Sequence, residues 1–142
     1  MIQYVQGDLT ETDIKLVAHG CNCFCTMGKG VALAIRQRWP TAWHADRNTV
    51  SGDKSKLGKI SVGVDQEHTV LNLYTQYHYG KMHSSLDMDV MRQCLQAVKR
   101  LYPGVDIAIP KIGSGLALGD WTAIEALILE VWDDREIYVF VL

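Results

Sequence analysis

Apolar residues fall into two alternating rhythms along this chain. Short runs rich in β-branched residues, bounded by glycine, proline or polar clusters, occur at 2–6, 15–19, 60–64, 69–74, 105–110 and 136–142, the pattern of β-strands. Between them lie stretches whose apolar positions recur every three or four residues, the signature of helices with one buried face. Over 28–38 these positions are Val31, Ala32 and Ile35, followed by Trp39, and Pro40 closes the segment because proline lacks the N–H that a helix interior requires. A second helix is expected over 41–51 with Trp43 and Val50 turned inward. The clearest amphipathic stripe runs over 87–102, where Met88, Met91, Leu95, Val98 and Leu101 share one face. A further helix is expected over 120–132. The run 105–110 is almost continuously apolar, as in a strand covered on both faces.

The polar, lysine-rich stretch 52–58 reads as a surface connection, and 65–68 as the turn joining two strands. Strands and helices alternate from end to end, with no internal repeat, low-complexity tract or linker. That alternation predicts a single α/β domain with three layers, α/β/α, and a mixed sheet of about six strands. A chain of 142 residues buries about two-thirds of its unfolded surface at this size, so its core needs no disulfide or metal staple.

Composition narrows the setting. With 48% hydrophobic and 21% charged residues and a formal net charge of −2, the chain has no basic field to draw nucleic acid, and stable nucleic-acid binding is not expected. No apolar stretch approaches the roughly 20 residues that span a bilayer, and the chain opens almost directly in a strand-like run without a basic and apolar leader. The expectation is a cytoplasmic monomer with no membrane association. Cys21, Cys23 and Cys25 alternate along the chain and Cys94 stands far off. That spacing does not match the two- to four-residue gaps of structural zinc sites, so the cysteines read as small buried apolar residues and no metal is expected.

Two glycine-rich turns carry the chemistry. The first follows the strand at 15–19 and runs through His19, Gly20, Cys21 and Asn22 to Met27, Gly28, Lys29, Gly30, Val31 and Ala32; the second follows 105–110 and runs through Lys111, Ile112, Gly113, Ser114, Gly115 and Leu116. Such turns present backbone N–H groups beside a helix N-terminus, where unpaired amides and the macrodipole favour an anion. Two of them in one small domain predict a ligand with more than one phosphate, of nucleotide type. Gly28-Lys29-Gly30 lacks the hydroxyl of a Walker loop, and the first strand ends in Gly7-Asp8-Leu9 rather than a dinucleotide-binding fingerprint.

Gly7-Asp8-Leu9, His19-Gly20-Cys21-Asn22, Met27 to Ala32, and Pro110 to Leu116 followed by Gly119-Asp120-Trp121 occur in this order over nearly the whole chain. Together they resemble the macrodomain family, in particular the small branch holding ADP-ribose-1″-phosphate phosphatases and terminal ADP-ribose protein glycohydrolases. The resemblance implies a cleft for ADP-ribose or ADP-ribose-1″-phosphate at the strands' C-terminal ends. It implies that Asp8 accepts from the adenine amino group, that Leu9 offers its backbone to the ring, and that both glycine loops clamp the pyrophosphate. Asn22 would lie beside the distal ribose, with Thr75, Gln76 and Tyr77 covering it. Ala117 and the terminal Leu142 complete the expected contacts.

In the glycohydrolases of this branch a lysine attacks the distal ribose and an acid assists. Here the corresponding positions are Gln76 and Ala117; an amide is no nucleophile and a methyl moves no proton. The remaining titratable candidates are His19, His78, His83 and Asp120. His19, with an ordinary pKa of about 6.5, suits proton transfer. Asp120 reads either as the cap of the following helix or as a base aimed at water. His19, Asp120 and Asn22 are therefore the candidate catalytic residues, and Tyr79 a candidate wall of the cleft. The expected activity is metal-independent hydrolysis of ADP-ribose-1″-phosphate, without a cofactor. The alternatives are removal of ADP-ribose from a protein, nucleic acid or small molecule, binding of ADP-ribose without turnover, or a non-enzymatic structural protein whose two glycine loops bind nothing.

Overall fold

A computed structural model describes residues 1–78, 86–113 and 120–142. In chain order the elements are β1 (Ile2–Gln6), β2 (Leu16–Cys21), α1 (Gly30–Arg38), α2 (Pro40–Arg47), β3 (Ile60–Val64), β4 (Thr69–Tyr74), α3 (Met88–Leu101), β5 (Ile107–Ile109), α4 (Trp121–Val131) and β6 (Ile137–Val141), with 3₁₀ turns at Leu9–Glu11 and Lys54–Lys56. The strands form one sheet in the order β1-β6-β5-β2-β4-β3. Every neighbouring pair is parallel except β3 and β4, which form an antiparallel hairpin. The mixed six-stranded α/β/α architecture expected from the pattern is present.

Side-chain alternation along the central strands builds both cores, because successive residues of a strand point to opposite faces. Leu16, Ala18, Leu71 and Leu73 pack against Met91, Leu95 and Val98 of α3 and Ile124 and Ile128 of α4. Val17, Val70 and Ala108 meet Ile35 of α1, Trp39 and Ala42 of α2 on the other face. Asp87 and Asp120 cap α3 and α4 through their carboxylates, accepting from the N–H groups of Asp89 and Thr122 respectively, which satisfies donors that a helix start leaves without partners.

Several boundaries differ from the periodicity. β2 runs on to Cys21, so the first glycine turn begins two residues later than the apolar run suggests. Met27 and Gly30 both take positive φ, 36° and 56°, which delays α1 to Gly30. Pro40 does more than end α1: it opens α2, a position where its missing N–H costs nothing. Because α2 stops at Arg47, Val50 is exposed rather than inward. Met88 and Leu101 lie at the two ends of α3 and are also exposed, since a helix stripe overhangs the sheet at its termini. Lys56, expected on a surface connection, is buried: the 3₁₀ turn carries its amine inward to donate to Thr49 Oγ1 at 2.8 Å.

Four elements meet at one buried amide. His19 Nε2 and Asn72 Oδ1 lie 2.6 Å apart on neighbouring strands, where the β2–β4 register places the two residues opposite each other. Asn72 Nδ2 donates to the Ala42 carbonyl of α2 at 2.9 Å and to Ser61 Oγ of β3 at 3.0 Å. With both acceptors on the amide nitrogen side, His19 Nε2 carries the proton that goes to Oδ1. Complete burial lowers the His19 pKa to about 4, although the bond to Asn72 opposes the shift. From Ser61 the chain continues through the Tyr74 hydroxyl at 2.8 Å to Asp46 Oδ1 at 2.7 Å. No described helix is long and apolar enough to cross a membrane.

Two outcomes are expected. Gly63 lies directly under α2, where an added Cβ would stand 2.5 Å from the Ala42 nitrogen; Gly63→Val should therefore lower stability by about 1–3 kcal/mol through overpacking, read as a lower urea midpoint. His19 binds its proton less readily folded than unfolded, so its stabilising effect is complete above about pH 6.5 and is lost as pH falls toward about 4. The loss should approach about 3 kcal/mol, and the decline of the urea midpoint between pH 7 and pH 4 should be visibly smaller in His19→Gln.

Candidate functional site

The C-terminal ends of β2, β4 and β5 open on one cleft of about 520 Å³. Parallel strands deliver their C-terminal loops to the same edge of a sheet, which makes that edge the natural ligand site of an α/β fold. Of the positions expected from sequence, His19, Gly20, Cys21, Asn22, Met27 through Ala32, Thr75, Gln76, Lys111, Ile112 and Gly113 line this cleft together.

The loop from β2 to α1 is held in shape by its own polar groups. Asn22 Oδ1 accepts from the Phe24 N–H and its Nδ2 donates to Thr26 Oγ1, both at 2.7 Å. Cys25 and Met27 take positive φ, an unusual conformation for side chains other than glycine. Cys25 Sγ then donates to the Asp46 carbonyl at 3.1 Å, and the Gly52 N–H donates to the Cys23 carbonyl at 2.7 Å. These bonds fasten the loop to α2 and the segment after it. Lys29, the N-cap of α1, makes no side-chain capping bond, and Gly30, Val31 and Ala32 of the first turn line the cleft, where a helix start has N–H groups without intrahelical partners. An anion is the expected occupant of such a terminus.

Across the cleft the segment after β5 turns at Gly113, with φ 79°, after the Ile112 N–H closes on the Pro110 carbonyl at 2.8 Å. Gly20 permits the close approach of this segment and of β4. An added Cβ there would meet Thr75 Oγ1 at 2.9 Å and the Ile112 side chain at 3.3 Å. Among the described residues Thr75 Oγ1 is buried and has no hydrogen-bond partner, and Thr75 lines the cleft. Ser114, Gly115, Leu116 and Ala117 of the second glycine loop lie outside the described residues, as do Tyr79 and His83.

Other expected positions lie elsewhere. Tyr77 does not line the cleft: its hydroxyl donates to the Gly52 carbonyl at 2.8 Å and its ring packs edge-on against Phe24. Asp8 is exposed at the end of β1, its Oδ1 accepting from the Thr10 N–H and hydroxyl, and the Thr10 N–H holds its carboxyl below the usual range. It is thus an acceptor at the same edge of the sheet, outside the cleft proper. Leu9 is buried with Val17, Met27 and Ile35, and Leu142 is exposed. Asp120 caps α4 and is not among the lining residues. His78 stacks on Phe24. His19 reaches the cleft as a neutral ring whose proton is engaged by Asn72, an arrangement unsuited to a general acid near neutral pH.

Sequence reasoning missed Thr26 and Asp46, which also line the cleft. Asp46 is buried and accepts from the Tyr74 hydroxyl; burial raises its pKa, opposed by the Tyr74 bond and by Lys56. Nothing in a polar helix segment signals which of its charges faces inward. Burial pushes the Cys21 and Cys23 thiols up as well and that of Cys94 to about 12, so these three sulfurs are protonated, inert packing groups. Among the described residues, no three His, Cys, Asp or Glu side chains gather as metal ligands.

No family model matches the chain. It is similar to an uncharacterised 17.5 kDa protein of Enterobacteria phage T4, 35% identical over 136 residues, covering 90% of this chain and 88% of that protein. It is also similar to a DNA ADP-ribosyl glycohydrolase of Mycobacterium tuberculosis, 26% identical over 93% of this chain but spanning only 39% of that enzyme, and to an ADP-ribose 1″-phosphate phosphatase of Debaryomyces hansenii, 36% identical over 40% of this chain and 37% of that one. The structure of a macrodomain protein from Streptomyces coelicolor superposes with a TM-score of 0.75 at 28% identity, covering 100% of this chain and 99% of that one. With the sheet order, the paired glycine turns and this similarity in hand, the chain belongs to the macrodomain family.

Proposed function

We propose that the cleft binds ADP-ribose and that the protein hydrolyses ADP-ribose-1″-phosphate to ADP-ribose and phosphate. The observation that carries the reading is the uncapped start of α1 facing the turn at Gly113 across one cleft. Two amide-bearing edges opposed in this way suit a diphosphate, and they do so in a chain with a net charge of −2, where long-range attraction contributes nothing. In this reading Asp8, ionised and acceptor-only, takes the adenine amino group. Gly30, Val31 and Gly113 hold the diphosphate through backbone N–H groups, and Asn22 and Thr75 meet the distal ribose.

The similarity to a phosphatase of this substrate and the replacements at Gln76 and Ala117 support phosphoryl transfer over attack at the ribose carbon. Neither side chain supplies the nucleophile or the acid that the covalent route needs. Water then attacks phosphorus, the bond from phosphorus to the ribose oxygen breaks, and the amides stabilise charge on the transferring group. The similarity to a DNA ADP-ribosyl glycohydrolase extends over more of the chain and makes cleavage of an ADP-ribosyl linkage the second reading of the same cleft.

Calorimetry should show ADP-ribose binding that weakens at least about tenfold, a loss of about 1.4 kcal/mol, in Gly30→Val, because valine resists the φ of 56° found there. Phosphate release from ADP-ribose-1″-phosphate should persist in EDTA. Binding without phosphate release would refute the phosphatase, and release of ADP-ribose from an ADP-ribosylated oligonucleotide would then select the second reading.

A further inference from the structure

We propose that Asp46 is a catalytic residue of this cleft, touching the distal ribose of the bound ligand and giving a proton to the oxygen that leaves phosphorus. The inference rests on the phosphatase reading above and extends it to a residue outside both glycine loops.

The sheet order sets the direction of the ligand. The two loops with amide edges follow β2 and β5, in the middle of the sheet, while Asp8 follows β1 at one side and Thr75 and Gln76 follow β4 toward the other. A ligand with adenine at Asp8 and its diphosphate between the loops therefore carries its distal ribose toward the end of β4. Asp46 is on that side, because α2 lies over β3 and β4, with its Ala42 carbonyl bonded to Asn72 of β4 and Gly63 of β3 directly beneath Ala42. Asp46 is the one carboxylate among the described residues that line the cleft.

Its placement is that of a positioned group. Asp46 is only 1% exposed, and Oδ1 is fixed by the Tyr74 hydroxyl at 2.7 Å. Tyr74 is itself fixed by Ser61, and the Asp46 carbonyl is held by Cys25 Sγ and Thr49 Oγ1. A buried carboxylate in a cleft built for a polyanion is repelled by its ligand unless it carries a proton or accepts one from a sugar hydroxyl. The groups facing it are the Tyr74 hydroxyl from β4, the Lys56 amine from the 3₁₀ turn, and the Cys21 and Cys23 thiols. Desolvation outweighs the first two and raises its pKa.

Water oxygen bonds to phosphorus while the bond from phosphorus to O1″ breaks, its electron pair staying on O1″. The Asp46 proton passes to O1″, giving the free anomeric hydroxyl. The attacking water releases one proton to solvent, and Asp46 takes one from solvent after the products leave.

Two readouts test this in the whole chain. The first is the affinity ratio for ADP-ribose over ADP, which lacks the distal ribose, measured by calorimetry between pH 5 and pH 9. Asp46→Asn should lower the ratio about tenfold while ADP affinity stays within about twofold, and should abolish the pH dependence of the ratio. The second is kcat for phosphate release, which should fall at least about a hundredfold in Asp46→Asn and, in the unaltered protein, should fall as pH rises through the Asp46 titration. Tyr74→Phe removes a bond that lowers the Asp46 pKa, so it should move the pH dependence of both readouts to higher pH; this variant also decides the matter if Asp46→Asn does not fold. A ratio unchanged in Asp46→Asn, or a pH dependence unmoved in Tyr74→Phe, overturns the assignment. Absence of phosphate release by the unaltered protein overturns the phosphatase reading alone, because the binding ratio still decides whether Asp46 meets the distal ribose.

Discussion

The side-chain amide of Asn72 is the contact on which the rest of this structure depends. It sits at 0% exposure in a central strand and uses its oxygen for His19 and its nitrogen for Ala42 and Ser61. A buried amide with unmet donors costs about 1–3 kcal/mol, so the position is stable only while β2, β3, β4 and α2 hold one relative arrangement. That arrangement puts α2 across the sheet at the height where Tyr74 meets Asp46. The polar chain from His19 to Asp46 thus links the middle of the sheet to the wall of the cleft. His19, which sequence reasoning offered as a catalyst, is better described as one end of this junction, because burial and the bond to Asn72 keep it neutral.

The cleft itself follows from strand direction and from what the helix start lacks. Parallel β2, β4 and β5 bring three loops to one edge, and α1 begins there without a capping side chain. An uncapped start in a folded protein leaves N–H groups that a ligand can satisfy, and the macrodipole adds preference for negative charge. Local amides of this kind can hold an anion even where the overall charge is slightly negative, because they act through hydrogen bonds at short range rather than through a long-range field. The loop is stiffened where it must hold a shape: Asn22 bonds within it, and Cys25, Thr49 and Lys56 fasten it to α2.

What could be read from the chain and what could not divide along physical lines. The six strands, the order of elements and the first glycine turn were legible because β-branched runs, helical spacing and turn-forming glycines are local constraints, set by neighbours a few residues apart. The ends of elements were less so. Val50 and Val105 are apolar yet exposed, since α2 stops at Arg47 and β5 begins at Ile107, and the length of an element is settled by what packs against it. Asn22 was legible as a loop residue, while its bonds to Phe24 and Thr26 required the fold.

The sequence by itself determined the α/β/α architecture and the places of its glycine-rich turns, because turn-forming residues and amphipathic period need no distant partner. Only the tertiary structure decided which charged groups are buried. Asp46 and Lys56 stand in polar segments that look solvated, and Tyr77 stands in a loop that looks close to the ligand; each takes its place from contacts with residues far away in the chain. Desolvation and long-range hydrogen bonding act between segments that meet only after folding, and they alone turned one aspartate of α2 toward the cleft and tied the histidine at the end of β2 to the strand beside it.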